Sequence, residues 1–88
     1  MNGRALLAWN IRRLRAASGV SQARLATKLK MDRAYLSEIE NGRRRSSLDM
    51  LDKFAEAFGV EIHELLLPPT PGAEPPKSLP SGRPRKKR

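Results

Sequence analysis

The tightest constraint on the fold is set by residues 21–42, SQARLATKLKMDRAYLSEIENG. Apolar residues recur at helical intervals in each half of this segment, so each half presents one apolar stripe. The stripe residues are Leu25, Ala26, Leu29, Met31, Leu36 and Ile39. The pattern breaks at residues 30–32, where the Asp32 carboxylate is expected to cap the second helix. The segment therefore predicts two short helices joined by a tight turn.

The outward side of the second helix is polar and follows one helical face. It carries Arg33, Ala34, Ser37 and Glu38, and Asn41 follows at its end. Hydrogen-bonding side chains with one small residue among them suit the edges of bases in a groove. The chain also has a net charge of +9. Together these features predict a DNA-binding helix-turn-helix, with the four helix residues contacting bases.

Helical spacing continues on both sides of this segment. A first helix is predicted over about residues 4–18, with Leu7, Ile11 and Leu14 inward and Gly19 as its stop. Ser21 and Ser47 are expected to cap the second and fourth helices. The fourth helix has an apolar stripe of Leu48, Leu51, Phe54, Ala55 and Phe58. A short fifth helix is predicted over about residues 61–66, which makes residues 1–67 a compact all-α bundle of five helices.

The composition changes abruptly at Pro68. Residues 68–88 contain all 7 prolines, and they carry 6 lysines and arginines against 1 acid. Such a segment buries too little apolar area to offset the entropy of ordering, so a disordered basic tail is predicted. Within it, residues 82–86 resemble half of an AT-hook, with Ser81 where an arginine would precede the glycine. Minor-groove insertion, non-specific phosphate attraction and a solubilising role all remain open for the tail.

Charge and composition limit the classes of partner. The basic excess favours an anionic polymer, and double-stranded DNA is the partner expected. No helix joins a basic face to a broad apolar one, so membrane binding is not expected. RNA is less suited because the chain has only 4 aromatic residues and no stacking platform. A cytosolic or nucleoid-associated protein is expected.

Catalysis and metal binding are not indicated. The chain has no cysteine and no nucleophile–base pair, and His63 stands alone without a carboxylate–histidine spacing. The acids Asp49, Asp52 and Glu56 lie on one solvated face of the fourth helix. We therefore expect no enzyme activity, no cofactor and no metal.

Residues 7–66 resemble the Cro/CI-type (XRE-like) helix-turn-helix regulators of phages and bacteria, which share the lambda-repressor-like fold. The resemblance rests on IRRLR, SQARLA, LSEIENG and SLDMLDKFAEAFGVEIHELL, and it spans all five predicted helices. The segment DRAYLSEIE is similar to the corresponding sequence of restriction–modification controller proteins. The resemblance implies a homodimer that binds a pseudo-palindromic operator, with the third helix in the major groove.

The resemblance also implies roles for individual residues. Arg33, Ala34 and Glu38 would contact bases, although Glu38 could instead pair with a nearby arginine. The expected contacts to the DNA backbone are Gln22, Arg24, Tyr35, Asn41, Arg43, Arg44 and Arg45. Tyr35 is expected at the edge of the core or on a phosphate, with stacking on a base as the alternative.

Two further sets are implied by the family. Arg15 and Glu40 would form a partly buried structural salt bridge, and Glu61, Ile62 and Leu65 would lie in the dimer interface. Trp9 is expected either over the seam between the first and fifth helices or exposed toward a partner.

Three positions depart from the family pattern. Lys30 stands where glycine is common, and a left-handed conformation there would cost about 1 kcal/mol. Ser46 replaces a common proline, and Arg24 replaces an acid, which removes a reciprocal capping box.

Two functions compete at this point. The first is a sequence-specific transcription regulator, most simply a repressor or autoregulator that acts as a homodimer. The second is an antitoxin or adaptor whose tail binds a protein partner. The proline-rich tail favours the second, but beyond Leu79 it offers no apolar anchor.

Overall fold

The computed structural model describes residues 1–73, and these residues are all-α, as predicted. The segments are α1 (Gly3–Ser18), α2 (Gln22–Leu29), α3 (Arg33–Glu40), α4 (Leu48–Phe58) and a 3₁₀ helix, η1 (Ile62–Leu66). A short fifth helix was predicted at about residues 61–66, and the structure has a 3₁₀ helix there in place of a fifth α-helix. The segment has only five residues, and Pro68 directly after Leu67 favours the extended conformation seen there, at φ −68° and ψ 138°.

Side-chain caps start three of the helices. Ser21 Oγ accepts from the Arg24 N–H at 3.1 Å, and Ser47 Oγ accepts from the Met50 N–H at 3.0 Å, as predicted. Asn2, which was not assigned, caps α1 in the same way. Asp32 occupies the N-cap of α3, but its carboxylate makes no capping hydrogen bond, so that prediction is wrong. The exposed carboxylate stays in solvent at the positive end of the helix dipole.

The core lies where α1, α3, α4 and η1 meet, with α2 packed on α3 and α4. Its buried apolar residues are Leu7, Ala8, Ile11, Leu25, Ala26, Leu29, Leu36, Ile39, Leu51, Phe54, Ala55 and Leu65. Leu14, Met31 and Phe58 are half-buried against this cluster. Leu48 was expected in the stripe of α4 but is 78% exposed. It directly follows the Ser47 cap, and the buried part of α4 starts one turn later.

Asn10 connects α1 to η1 through a buried polar contact. Its Nδ2 lies 3.1 Å from the carbonyl oxygen of Leu65, 2.9 Å from that of Leu67 and 2.9 Å from that of Leu6 in its own helix, so its two hydrogens are shared among three acceptors. Its Oδ1 accepts from Arg13 Nε at 3.1 Å. The side chain satisfies carbonyls at the end of η1 that would otherwise be unpaired.

The chain after η1 continues along α1. Trp9 is half-buried and lines a surface groove together with Leu67, Pro68 and Ala73. This position favours the seam over an exposed contact for Trp9. The predicted tail beyond Ala73, including the half AT-hook at residues 82–86 and the proposed partner contact, lies outside the described residues.

Lys30 ends α2 in the left-handed conformation, at φ 56° and ψ 46°. It is the one non-glycine residue with positive φ in residues 1–73, whereas α1 and α4 end at Gly19 and Gly59. A side chain at such a position is strained because Cβ crowds the following carbonyl oxygen.

Replacing Lys30 by glycine is expected to raise the free energy of unfolding by about 0.5–1 kcal/mol, since the relieved strain exceeds the added chain entropy. Lys28→Gly is the matched control because it removes the same charge inside α2. That variant should lose about 1 kcal/mol. Urea denaturation of both variants measures the difference, and equal losses would show that Lys30 carries no strain.

Candidate nucleic-acid interface

The α2–α3 pair is joined by a short, hydrogen-bonded turn. The Met31 N–H donates to the Ala26 carbonyl at 2.9 Å, and the Lys30 N–H donates to Thr27 at 3.1 Å. On the inner side, Leu25 of α2 and Leu36 of α3 are almost fully buried in the common core. The turn and the core together fix the orientation of α3 relative to α2.

A buried ion pair fastens α3 to α1. Arg15 Nε and Nη2 each lie 2.8 Å from a Glu40 carboxylate oxygen, and both residues are 3% exposed. Arg15 Nη1 also donates to the Val20 carbonyl at 3.1 Å. Two-point pairing of this kind fixes both distance and orientation.

Gln22 joins the same network from the first residue of α2. Its Nε2 donates to Glu40 Oε1 at 3.2 Å. Gln22 was expected to contact a phosphate, and in the structure its side chain also braces α3. Because Gln22 is half-exposed, one side of the side chain still reaches the surface.

The outer face of α3 brings the predicted base-contacting residues together. Arg33 and Ala34 in the first turn are exposed, and Ser37 and Glu38 one turn later are half-exposed. Asn41 is exposed immediately after the helix, and its N–H donates to the Ser37 carbonyl at 3.0 Å. The four helix residues therefore form one continuous surface with both donors and acceptors.

Glu38 does not stand alone on this surface. Its Oε1 lies 2.9 Å from Arg44 Nε, and both side chains are about half exposed (47% and 51%). The Arg44 guanidinium also lies 5.0 Å from the centroid of the Tyr35 ring. Tyr35 itself packs against the edge of the core, as expected. Arg44 therefore bridges the loop to the outer face of α3, and an arginine contact of this kind was the alternative left open for Glu38.

Cations surround the face on both sides. Arg24 of α2 is exposed on one side, and Arg43 and Arg45 are exposed on the other. The Arg43 N–H donates to the Glu38 carbonyl at 2.9 Å, so the basic loop is attached directly to the last turn of α3. All the expected backbone-contacting residues therefore lie on α2, α3 or the loop that follows α3.

The residues expected in a dimer interface divide between surface and core. Glu61 is exposed and Ile62 is 41% exposed, but Leu65 is 0% exposed. Leu65 as an interface residue is therefore wrong, because its side chain is already enclosed by α1 and α4 within one chain. Leu66 and Leu67, which were not assigned, are 37% and 42% exposed beside Ile62.

Neither a metal-binding cluster nor a membrane-spanning helix occurs in residues 1–73. No group of three or more metal-ligating side chains occurs there, and His63 is exposed. None of the helices described combines the length and hydropathy needed to cross a bilayer.

Comparison with known proteins identifies the family. A helix-turn-helix family model (HTH_3) matches residues 11–65, which is more than half of the chain. The chain therefore belongs to the helix-turn-helix family of DNA-binding transcription regulators, which are not enzymes. The predicted resemblance to this family is confirmed.

Among curated proteins, the chain is 44% identical over 66 residues to the hypothetical transcription factor of Neisseria meningitidis, covering 75% of this chain and 62% of that protein. It is 39% identical over 66 residues to control protein C.BamHI of Bacillus amyloliquefaciens, covering 74% of this chain and 82% of that protein.

Solved structures show the same similarity. The Neisseria transcription factor superimposes with a TM-score of 0.73 at 43% identity, over 77% of this chain and 78% of that one. The restriction–modification controller protein C.AhdI of Aeromonas hydrophila gives 0.66 at 37% identity, over 70% of this chain and 94% of that one.

Glu40→Gln is expected to lower the free energy of unfolding by about 3–5 kcal/mol, because Arg15 is left as a buried charge without its partner. Glu38→Gln, which removes the same charge from an exposed pair, should change it by less than about 1 kcal/mol. Chemical denaturation of both variants measures the contrast. The double variant Arg15→Met/Glu40→Leu should recover most of the loss, and a loss as large as that of Glu40→Gln would contradict the charge explanation.

Proposed function

We propose that this chain is a sequence-specific regulator of transcription that binds double-stranded DNA as a homodimer. The observation that carries the proposal is the outer face of α3, whose polar residues face solvent while Glu40 on its inner side is fixed to Arg15 and Gln22. A rigid helix with exposed donors and acceptors can enter the major groove without losing side-chain packing.

Each residue on this face has chemistry that suits a base edge. Arg33 can donate two parallel hydrogen bonds to guanine O6 and N7, and the Ala34 methyl group fits against a thymine methyl group. The Glu38 carboxylate can accept from a cytosine amino group. The Ser37 hydroxyl group can donate or accept a hydrogen bond, so it can pair with either kind of group on a base edge.

The arginines and amides around this face would bind the phosphates. Arg24 and Gln22 lie on the α2 side, and Asn41 with Arg43 and Arg45 lie on the loop side. Contacts of this type position the protein and are independent of sequence. They account for the salt dependence of binding that we expect.

Two copies would read two half-sites about one turn of DNA apart, roughly 34–36 Å between their centres. The exposed apolar residues Ile62, Leu66 and Leu67 are the surface we assign to the contact between copies. A small folded part also gains stability when such residues are buried on association.

The similarity to restriction–modification control proteins supports a regulatory role, and the simplest form of it is an autoregulator that represses. Footprinting on DNA that flanks the coding region of the protein tests this directly. Protection of a two-fold symmetric site supports the proposal. Equal affinity for the flanking fragment and for random DNA would refute it.

Arg33→Ala is expected to cost about 1–3 kcal/mol of binding free energy at one symmetric base pair of the operator, and to relax the preference at that pair. Arg43→Ala is the matched control, because it should weaken binding to every sequence and reduce the salt slope by about 1. Titration against single-base operator variants separates the two patterns. A uniform loss for Arg33→Ala would mean that Arg33 contacts phosphate.

Ile62→Glu is expected to shift the protein from dimer to monomer, because a carboxylate would have to be buried at the contact between copies. Leu48→Glu is the control. Leu48 is more exposed than Ile62, and it lies at the start of α4, whereas η1 follows the end of that helix. Sedimentation velocity at several concentrations measures both. Loss of dimer in both variants, or in neither, would contradict the assigned interface.

A further inference from the structure

We propose that the Glu38–Arg44 ion pair couples phosphate binding to base recognition. On the wrong sequence the pair stays closed and withholds Arg44 from the phosphates. On the operator, Glu38 exchanges the arginine for a base amino group, and Arg44 becomes free to bind a phosphate. This inference depends on the proposed function, since it names a control of the same site.

Geometry sets Arg44 apart from its neighbours in the loop. Arg44 Nε lies 2.9 Å from Glu38 Oε1, and its guanidinium covers the Tyr35 ring at 5.0 Å. Among the described residues, Arg43 and Arg45 form no ion pair, although they are exposed in the same loop. Arg44 is therefore drawn back over α3, whereas the adjacent arginines are available to the DNA backbone.

The position of Glu38 makes it responsive to the base that it meets. It lies on the outer face of α3 one turn after Ala34, and a shallow surface depression is lined by Asp32, Ala34, Tyr35, Glu38 and Arg44. A base edge that enters beside Ala34 approaches the same carboxylate that holds Arg44. A donor such as a cytosine amino group can replace the arginine, whereas an acceptor such as guanine O6 would repel the carboxylate.

The pair is weak enough to open. Both side chains are about half exposed, and exposed ion pairs of this kind contribute at most about a five-fold factor to an equilibrium. A hydrogen bond to a base together with a new phosphate contact exceeds that factor. The buried Arg15–Glu40 pair, at 3% exposure, is not open to the same exchange.

The salt dependence of binding to random duplex DNA tests the coupling. Glu38→Gln frees Arg44, so the slope of log K against log salt should steepen by about 0.9, the value for one added phosphate contact. Glu56→Gln is the matched control: it changes the net charge equally from the exposed face of α4 and should leave the slope unchanged. On the operator, where Arg44 is already released in the wild type, Glu38→Gln should not steepen the slope.

A double-mutant cycle shows whether Arg44 carries the effect. In an Arg44→Gln background, Glu38→Gln should no longer steepen the slope on random DNA. A slope change that persists there, or one equal to that of Glu56→Gln, overturns the inference. These failures differ from failure of the proposed function, in which the wild type itself shows no preference for the flanking fragment.

Discussion

The buried ion pair between Arg15 and Glu40 is the interaction on which the rest of the structure depends. It joins α1 to α3 through two contacts of 2.8 Å, and Gln22 adds α2 through the same carboxylate. Three helices therefore share one charged centre. A buried pair of this kind adds little net stability, but removing one partner is costly. We infer that the role of this ion pair is to fix the orientation of α3.

The two glutamates of α3 illustrate how position decides chemistry. Glu40 points inward and has two-point contacts in a buried site, so it serves the fold. Glu38, two residues earlier, is half exposed and pairs with a half-exposed arginine, which we propose it exchanges for a base. The same side chain thus serves as a fixed brace at one position and as an exchangeable ligand at the other. The difference follows from burial, since water weakens the outer pair and not the inner one.

Local sequence signals predicted much of the fold. Ser21, Ser47 and Gly19 act within one turn of their own position, and these caps and stops were found from the sequence. Contacts between residues that are distant in the sequence were not predicted. Asn10 interrupts an apolar stripe, and its partners Leu65 and Leu67 lie 55 and 57 residues away, so no local pattern indicates its role.

The same difference between local signals and distant contacts applies to the candidate site. The outer face of α3 was predicted because helical periodicity alone determines which residues point outward. The Leu65 assignment failed because burial at the end of η1 depends on how that segment packs on α1. The Arg44 contact spans the turn at Gly42, whose φ is 72°, and that change of direction returns the loop onto α3. Helical periodicity in the sequence does not predict that a loop turns back onto the preceding helix.

The buried amide of Asn10 has a geometric consequence for recognition. It lies on α1 five positions before Arg15, so one rigid helix carries both the attachment of α3 and the attachment of η1. In the proposed two-fold assembly, the attachment of α3 would direct each subunit toward its bases, and the attachment of η1 would position Ile62 toward the other copy. The separation between half-sites would then depend on the distance along α1 between Arg15 and Asn10.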